Sequence, residues 1–234
     1  IGVVAAMTIP TLMANIRSHQ YRSKFKKAVS TISQAARMSQ AQYDYDFSGI
    51  EQTCGNNGGT QHPEKIRSIC SILNGTLSSS TYYNKASDIK ISKNSAANYA
   101  INYTIDKDAF LGLNSGRGNL ADYHAYLLND GTIIAFHKRL GESNACYFEI
   151  GYNITTLNAG SNKGLAYCYG FIDVNGPSLP NKEISCSTGK NNLEDKQTCI
   201  VKPKDVTDVY PIRIYNGIAV PATAAVKYIF DTAK

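Results

Sequence analysis

The sequence contains no tryptophan, and none of its six cysteines belongs to a CxxC pair. Without that spacing, the usual signatures of zinc ribbons and thioredoxin-type redox sites are missing. The patterns GxSxG, HExxH, Walker A and GxGxxG are also absent, so no hydrolase, metalloprotease or nucleotide-binding chemistry can be assigned. The four histidines stand apart from one another: His19, His62, His124 and His137. We therefore predict that the protein is not an enzyme and carries no resident cofactor, apart from a calcium candidate described below.

Charge is sparse and spread along the chain. Charged residues make up 18% of the sequence and hydrophobic residues 43%, with a formal net charge of +6, which is ordinary for a folded protein. One dense basic run is present: Arg17, Arg22, Lys24, Lys26 and Lys27. It permits attraction to anionic lipid or nucleic acid without requiring either. Because no RNP motif, zinc finger or basic zipper accompanies it, we predict a solvated helix face and no specific nucleic-acid binding.

The cysteines predict disulfide bonds. An even number of well-separated cysteines is typical of proteins in an oxidising compartment outside the cytoplasm. Six cysteines allow 15 connectivities, and pairing between sequence neighbours is the simplest of them. These pairs are Cys54 with Cys70, Cys146 with Cys168, and Cys186 with Cys199. The alternative is a set of buried free thiols.

The first 46 residues predict one long helix with two different halves. Residues 1–13 carry no charge, yet they are fewer than the ~20 apolar residues of a membrane span. Because this run starts without methionine or a charged leader, we expect the chain to begin partway through a longer apolar helix. Apolar residues then recur at mostly three- and four-residue steps, as on one helix face. They are Leu12, Ile16, Tyr21, Phe25, Val29, Ile32 and Ala36. At Pro10 we expect a kink or local melting.

The remainder of the chain predicts mainly strands. Residues 50–120 are rich in Gly, Asn and Ser and read as loops, with one short helix from Pro63 to a cap at Gly75. Asn129-Asp130-Gly131 between two β-prone runs predicts a hairpin of residues 123–128 and 132–137. The other predicted elements are a second strand pair (147–155 and 165–174), a fifth strand (209–215) and a C-terminal helix (221–232) packing Val226, Ile229 and Phe230.

Two segments resemble a known family. Residues 1–10, IGVVAAMTIP, resemble the second half of the N-terminal helix of type IV pilins and type II secretion pseudopilins. Residues 171–181, FIDVNGPSLPN, are similar to a DVNG-containing segment of many bacterial prepilin-like proteins. The resemblance implies an α+β lollipop: a helix over residues 1–46 (apolar stalk 1–16, amphipathic half 17–46) and a head over 47–234 with an antiparallel sheet. Gly2, Pro10, Leu12 and Ile16 would then belong to the assembly helix.

The resemblance also implies partners and a location. The chain would be a structural subunit of a type IV pilus-like or type II secretion filament, held with copies of itself and other pilin-like subunits. Before assembly it would lie in the bacterial inner membrane facing the periplasm, in contact with the assembly machinery. Later it would stand in a periplasmic pseudopilus or a cell-surface filament. The family's leader peptide and early acidic docking residue are absent from this sequence, so we expect an N-terminal truncation. The alternative is a soluble, disulfide-bonded extracytoplasmic binding domain or hydrolase, with residues 1–13 as a core helix.

One motif predicts a metal. Asp173-x-Asn175-Gly176 places two oxygen ligands before a tight turn, as calcium loops do, and Glu183 could complete the set. Some pseudopilins bind calcium in a C-terminal loop, which adds to the hypothesis by resemblance. The competing interpretation is a structural turn that closes the strand ending at Asp173, since no full DxDxDG series is present.

Overall fold

The computed structural model describes residues 2–77, 79–91, 97–101, 110–111, 117–142, 168–191, 193, 198–215 and 217–232. Three helices and six strands lie in these ranges. The helices are α1 (Gly2–Tyr43), α2 (Ile69–Asn74) and α3 (Ala224–Thr232). The strands are β1 (Thr81–Tyr83), β2 (Tyr123–Leu127), β3 (Ile133–His137), β4 (Tyr169–Asp173), β5 (Val209–Tyr215) and β6 (Ile218–Pro221). The chain is therefore an α+β protein with a long N-terminal helix, as predicted at that level.

The strands form one antiparallel sheet in the order β1-β2-β3-β4-β5-β6. The predicted hairpin is confirmed: Tyr123 pairs with His137 and Leu127 with Ile133. In the turn between them, Gly131 has a φ of 82°, a conformation that glycine adopts without steric cost. The fifth predicted strand is confirmed as β5, and the C-terminal helix as α3.

Both faces of the sheet are buried, so the head has two apolar layers. Along β3, Ile134 and Phe136 belong to the cluster that includes α1, whereas Ile133 and Ala135 belong to a second cluster on the opposite face. This division follows from the alternation of side chains along a strand. The central strands β3 and β4 consequently contain only buried residues, which explains their nearly unbroken apolar sequence.

The amphipathic half of α1 packs on the sheet as predicted. Its buried stripe consists of Tyr21, Phe25, Val29, Ile32 and Ala36. Phe25 stacks on Tyr210 of β5 with ring centroids 4.6 Å apart, and its edge meets Phe230 of α3 at 6.3 Å. This stripe therefore attaches the helix to the head through both β5 and α3.

Several predicted elements need correction. The short helix begins at Ile69 rather than Pro63, because Ser68 caps it by accepting a hydrogen bond from the Ser71 amide. β1 and β6 were not predicted. The predicted strand 165–174 is confirmed over Tyr169–Asp173 as β4, but its predicted pairing is wrong there, because β3 and β5 lie on its two edges. Its predicted partner, residues 147–155, lies outside the described residues, as does the turn predicted at residues 158–162.

Two of the three predicted disulfides are present. Cys54 is bonded to Cys70, with Cα atoms 5.6 Å apart, and Cys186 to Cys199, with Cα atoms 5.4 Å apart. The third predicted pair includes Cys146, which lies outside the described residues. The free-thiol alternative is wrong for these four cysteines. The first bond ties α2 to the loop before it, and the second closes a loop beside the sheet.

Candidate functional site

The candidate site is the part of α1 where the helix leaves the head. We call residues 2–16 the apolar segment and residues 17–27 the neck. α1 contains no aspartate or glutamate over its 42 residues, so all of its charge is positive. The apolar segment precedes the neck directly, and the buried stripe begins inside the neck at Tyr21.

The end of the apolar segment does not pack on the head. Leu12, Met13 and Ile16 have 60%, 58% and 49% of their surface exposed. Leu12 and Ile16 lie on the predicted stripe, but that stripe is buried only from Tyr21 onward. The head thus covers α1 from the neck to its C-terminal end and leaves these three apolar side chains uncovered.

The backbone of α1 is helical through Pro10. Of the two outcomes that we expected at this position, local melting is therefore not present in the structure, and the kink stays a prediction. Proline removes one backbone hydrogen bond from a helix, and here the turns on either side continue the helix across that gap. Within the described residues, no helix combines the length and hydropathy needed to cross a membrane.

Polar contacts fix the neck to the head on two sides. The Lys24 ammonium donates to the Val174 carbonyl at 3.1 Å, and the Lys27 ammonium pairs with Asp130 in the β2–β3 turn at 3.0 Å. The Lys26 ammonium lies 5.8 Å from the centroid of the Phe230 ring in α3. Three of the five basic residues predicted as a solvated face therefore also contact the head.

The segment after β4 is a loop built around two buried carboxylates. Asp173 accepts a hydrogen bond from the Asn175 amide at 3.0 Å and another from the Tyr99 hydroxyl at 2.8 Å. Asp208 accepts from the amides of Asn181 and Lys182 at 3.0 and 2.8 Å. The loop is thus held at both of its ends. Asp208 was missed from the sequence, because a single Asp before a strand gives no sign of contacts 27 residues earlier.

These carboxylates are electrostatically linked to each other and to the neck. Burial, and secondly the charge of Asp208, raises the pKa of Asp173 well above its ordinary value. Burial also raises the pKa of Asp208. The pKa of Tyr21 is raised by burial and then by Asp208. The hydrogen bond from Lys24 to the Val174 carbonyl at 3.1 Å likewise places the loop beside the start of the buried stripe of α1.

Gly176 places this loop against the β2–β3 turn. Its φ is +62°, and a Cβ at this position would lie 2.0 Å from the carbonyl oxygen of Gly131. Only glycine permits this approach. Because Asp130 of the same turn pairs with Lys27, the loop, the turn and the neck form one contiguous region.

The calcium candidates are engaged in separate contacts. The Glu183 carboxylate accepts hydrogen bonds from the backbone amides of Phe110 and Leu111, both at 2.8 Å. The Asn175 side-chain amide donates to the carbonyls of Ser178 and Leu179. Asp173 and Glu183 flank Val209 on opposite sides in the sheet, which corresponds to roughly 10 Å across two strand spacings. Donors rather than open coordination space surround both carboxylates. In the described ranges, no three His, Cys, Asp or Glu side chains form a metal-binding group.

This geometry weakens the calcium hypothesis, which stays a prediction. It supports the competing interpretation of residues 173–176 as a structural turn, since both oxygens of Asp173 already accept hydrogen bonds from the loop and from Tyr99.

The histidines do not come together. His19 and His62 are exposed. His124 and His137 are buried but lie on opposite faces of the sheet, because His137 pairs with Tyr123 and His124 with Phe136 in the β2–β3 register. Burial lowers the pKa of each to about 4. Two neutral histidines on different faces do not make a shared acid–base site.

No family model, curated protein or solved structure matches this chain.

Proposed function

We propose that the chain is a structural subunit of a type IV pilus-like or type II secretion-like filament. In this proposal its apolar segment packs among other subunits, and its head forms the outer surface of the filament. One observation carries the proposal: a single helix is buried on the head from Tyr21 to Ala36, while Leu12 and Ile16 on the same stripe are exposed.

The exposure has a physical consequence. An apolar helix that the head does not cover is unfavourable in water, and contiguous apolar surface of this kind marks a protein or membrane contact. Packing against identical helices, or insertion into lipid, removes that surface from water. The resemblance of residues 1–10 to the pilin N-terminal helix agrees with this arrangement, as does the resemblance of residues 171–181.

The alternative function predicts a different environment for the same residues. In a soluble binding domain or hydrolase, residues 1–13 would form a core helix. Leu12 and Met13, with 60% and 58% of their surface exposed, do not favour that interpretation. The predicted locations and partners follow from the filament proposal: the inner membrane before assembly, then the filament, with copies of this chain and other pilin-like subunits.

Deletion of residues 1–16 tests the proposal. The truncated chain keeps the buried stripe of α1, so we expect a folded monomer that stays in solution without detergent. The full chain should sediment as an assembly or require detergent. Sedimentation velocity and thermal unfolding of the two chains measure both expectations. A truncated chain that unfolds would mean that the apolar segment is part of the core, and the proposal would fail.

A pair of point variants controls for the size of the deletion. Leu12→Asn places a polar group in the apolar segment, whereas Met38→Asn makes a comparable change at an exposed residue of the half that packs on the head. Self-association should weaken with Leu12→Asn and stay unchanged with Met38→Asn. Equal effects of both variants would assign self-association to general surface hydrophobicity instead.

A further inference from the structure

We propose that the neck binds the anionic headgroups of a phospholipid bilayer while the apolar segment lies in the hydrocarbon core. The inference rests on the proposed function, because only insertion of the apolar segment brings the neck to the membrane surface. It adds the chemistry of the partner: negatively charged lipid, recognised by arginine and lysine at a fixed depth.

Charge complementarity is the first argument. Five basic residues lie within the eleven residues of the neck, and α1 has no acidic residue to offset them. Among the described residues, neither Arg17 nor Arg22 pairs with a carboxylate, whereas Lys27 pairs with Asp130. Clusters of four to eight basic residues next to a membrane-inserted helix attract anionic lipid, each residue contributing about 1 kcal/mol.

Position along the helix is the second argument. Residues 2–16 extend about 22 Å along the helix axis. This length is less than the ~30 Å hydrocarbon core, so the described segment reaches past the bilayer midplane without crossing it. Arg17 and Arg22 then lie within about 8 Å of the edge of the core, which is one Debye length at physiological salt. Arg17 is exposed, so its aliphatic stem can stay in the interface while its guanidinium group reaches phosphate. Arg22 is half-buried, and its Nε is shielded from solvent.

The head adds charge beside the neck. A 3₁₀ turn, Pro203–Asp205, lies against α1 and carries exposed Lys204, with exposed Lys202 just before it. It lies near the start of the buried stripe, because Tyr210, five residues further on, stacks on Phe25 with ring centroids 4.6 Å apart. Asp205 in the same turn is occupied by the Ser187 hydroxyl at 2.6 Å. Lys202 and Lys204 outnumber Asp205, so the net charge of this segment is positive.

Vesicle flotation of the full chain tests the proposal. The chain is diluted from detergent into a series of vesicle concentrations, made either from phosphatidylcholine alone or with roughly one-third phosphatidylglycerol. We expect tighter partitioning to the anionic vesicles, and an advantage that disappears at about 1 M salt, where the Debye length is near 3 Å. Arg17→Gln should weaken partitioning to anionic vesicles about fivefold, and the double variant with Arg22→Gln about 25-fold.

Matched variants test whether binding depends on where a positive charge lies on α1 or only on the total charge. Arg37→Gln removes one exposed positive charge from the same helix about 30 Å beyond Arg17, and should leave partitioning unchanged. Arg17→Lys and Arg22→Lys keep the charge and should restore binding. Circular dichroism of each variant checks that the head is folded, which matters most for Arg22 because its Nε is buried.

A fluorescent probe measures depth independently. Because the chain has no tryptophan, Ser23→Trp on the exposed face of the neck reports that position alone. Its emission should shift to the blue in anionic vesicles, whereas that of Gln42→Trp, near the far end of α1, should not.

The outcomes are distinguishable. Equal, salt-insensitive partitioning to both kinds of vesicle would overturn headgroup recognition and leave the filament proposal standing. No association with either kind would overturn both. If Arg17→Gln and Arg22→Gln impair self-association in detergent but not vesicle binding, the neck contacts another subunit instead, and the lipid proposal is wrong.

Discussion

Ile32→Ala and Ile16→Ala make the same change of side chain in the two halves of α1. Ile32 is fully buried in the cluster between α1 and the sheet, whereas Ile16 is 49% exposed. Truncating a buried isoleucine to alanine costs about 2–5 kcal/mol, since it loses transfer free energy and leaves a cavity. A change at an exposed position away from special contacts usually stays within about 0.5 kcal/mol.

The assay is thermal unfolding of the full chain in mild detergent, followed by the near-ultraviolet circular dichroism of its tyrosines. For a domain of this size the Ile32→Ala loss corresponds to a fall in melting temperature of roughly 4–20 °C. Ile16→Ala should move the midpoint by at most about 2 °C, while weakening self-association. Comparable destabilisation by the two variants would refute the division of α1 into a part packed on the head and an uncovered part.

Three further predictions concern the head. Asp208→Ala should destabilise it by about 1–3 kcal/mol or more, because the amides of Asn181 and Lys182 lose their acceptors; Asp208→Asn, which keeps one oxygen, should cost less, as a urea titration can measure. Burial lowers the pKa of His124 in the folded protein to about 4, so on acidification the unfolded chain binds a proton at this histidine before the folded chain does. The free energy of unfolding should therefore fall as the pH decreases below about 6.5, and the loss should reach about 2 kcal/mol at about pH 5. His124→Gln should remove that part of the pH dependence. If the wild-type urea midpoint is the same at about pH 6.5 and about pH 5, this prediction is wrong. If Asp173 does not hold calcium, millimolar calcium and excess chelator should give the same melting temperature; a calcium-dependent rise would restore the metal hypothesis.

Local sequence signals predicted the elements that depend on local chemistry. The β2–β3 hairpin follows from Asp130-Gly131 between two β-prone runs, and α1 from its periodic apolar face without an internal glycine after Gly2. The disulfides between Cys54 and Cys70, and between Cys186 and Cys199, close loops between sequence neighbours, so the simplest pairing is confirmed for these two bonds.

The remaining features depend on tertiary contacts that no short window contains. β1 has only three residues and is a strand because it pairs with β2, about 40 residues later. The sequence also did not reveal that β4 would pair with β3 and β5 over Tyr169–Asp173, in place of the predicted partner at residues 147–155. Similarly, the apolar stripe of α1 looks continuous in sequence, but the extent of the head decides that its side chains are buried from Tyr21 onward and leaves Ile16 exposed.

Site-specific photo-crosslinking at Leu12 tests the central claim most directly. A benzophenone amino acid replaces Leu12 in the full chain, which is irradiated after expression in a host that assembles pilin-like filaments; Gln42, near the other end of α1, serves as the control position. We predict that Leu12 crosslinks to another copy of the chain or to another pilin-like subunit in the sheared filament fraction, and that Gln42 does not give the same product. A chain found only as a soluble monomer, with no crosslink from Leu12, would contradict assembly through the apolar segment.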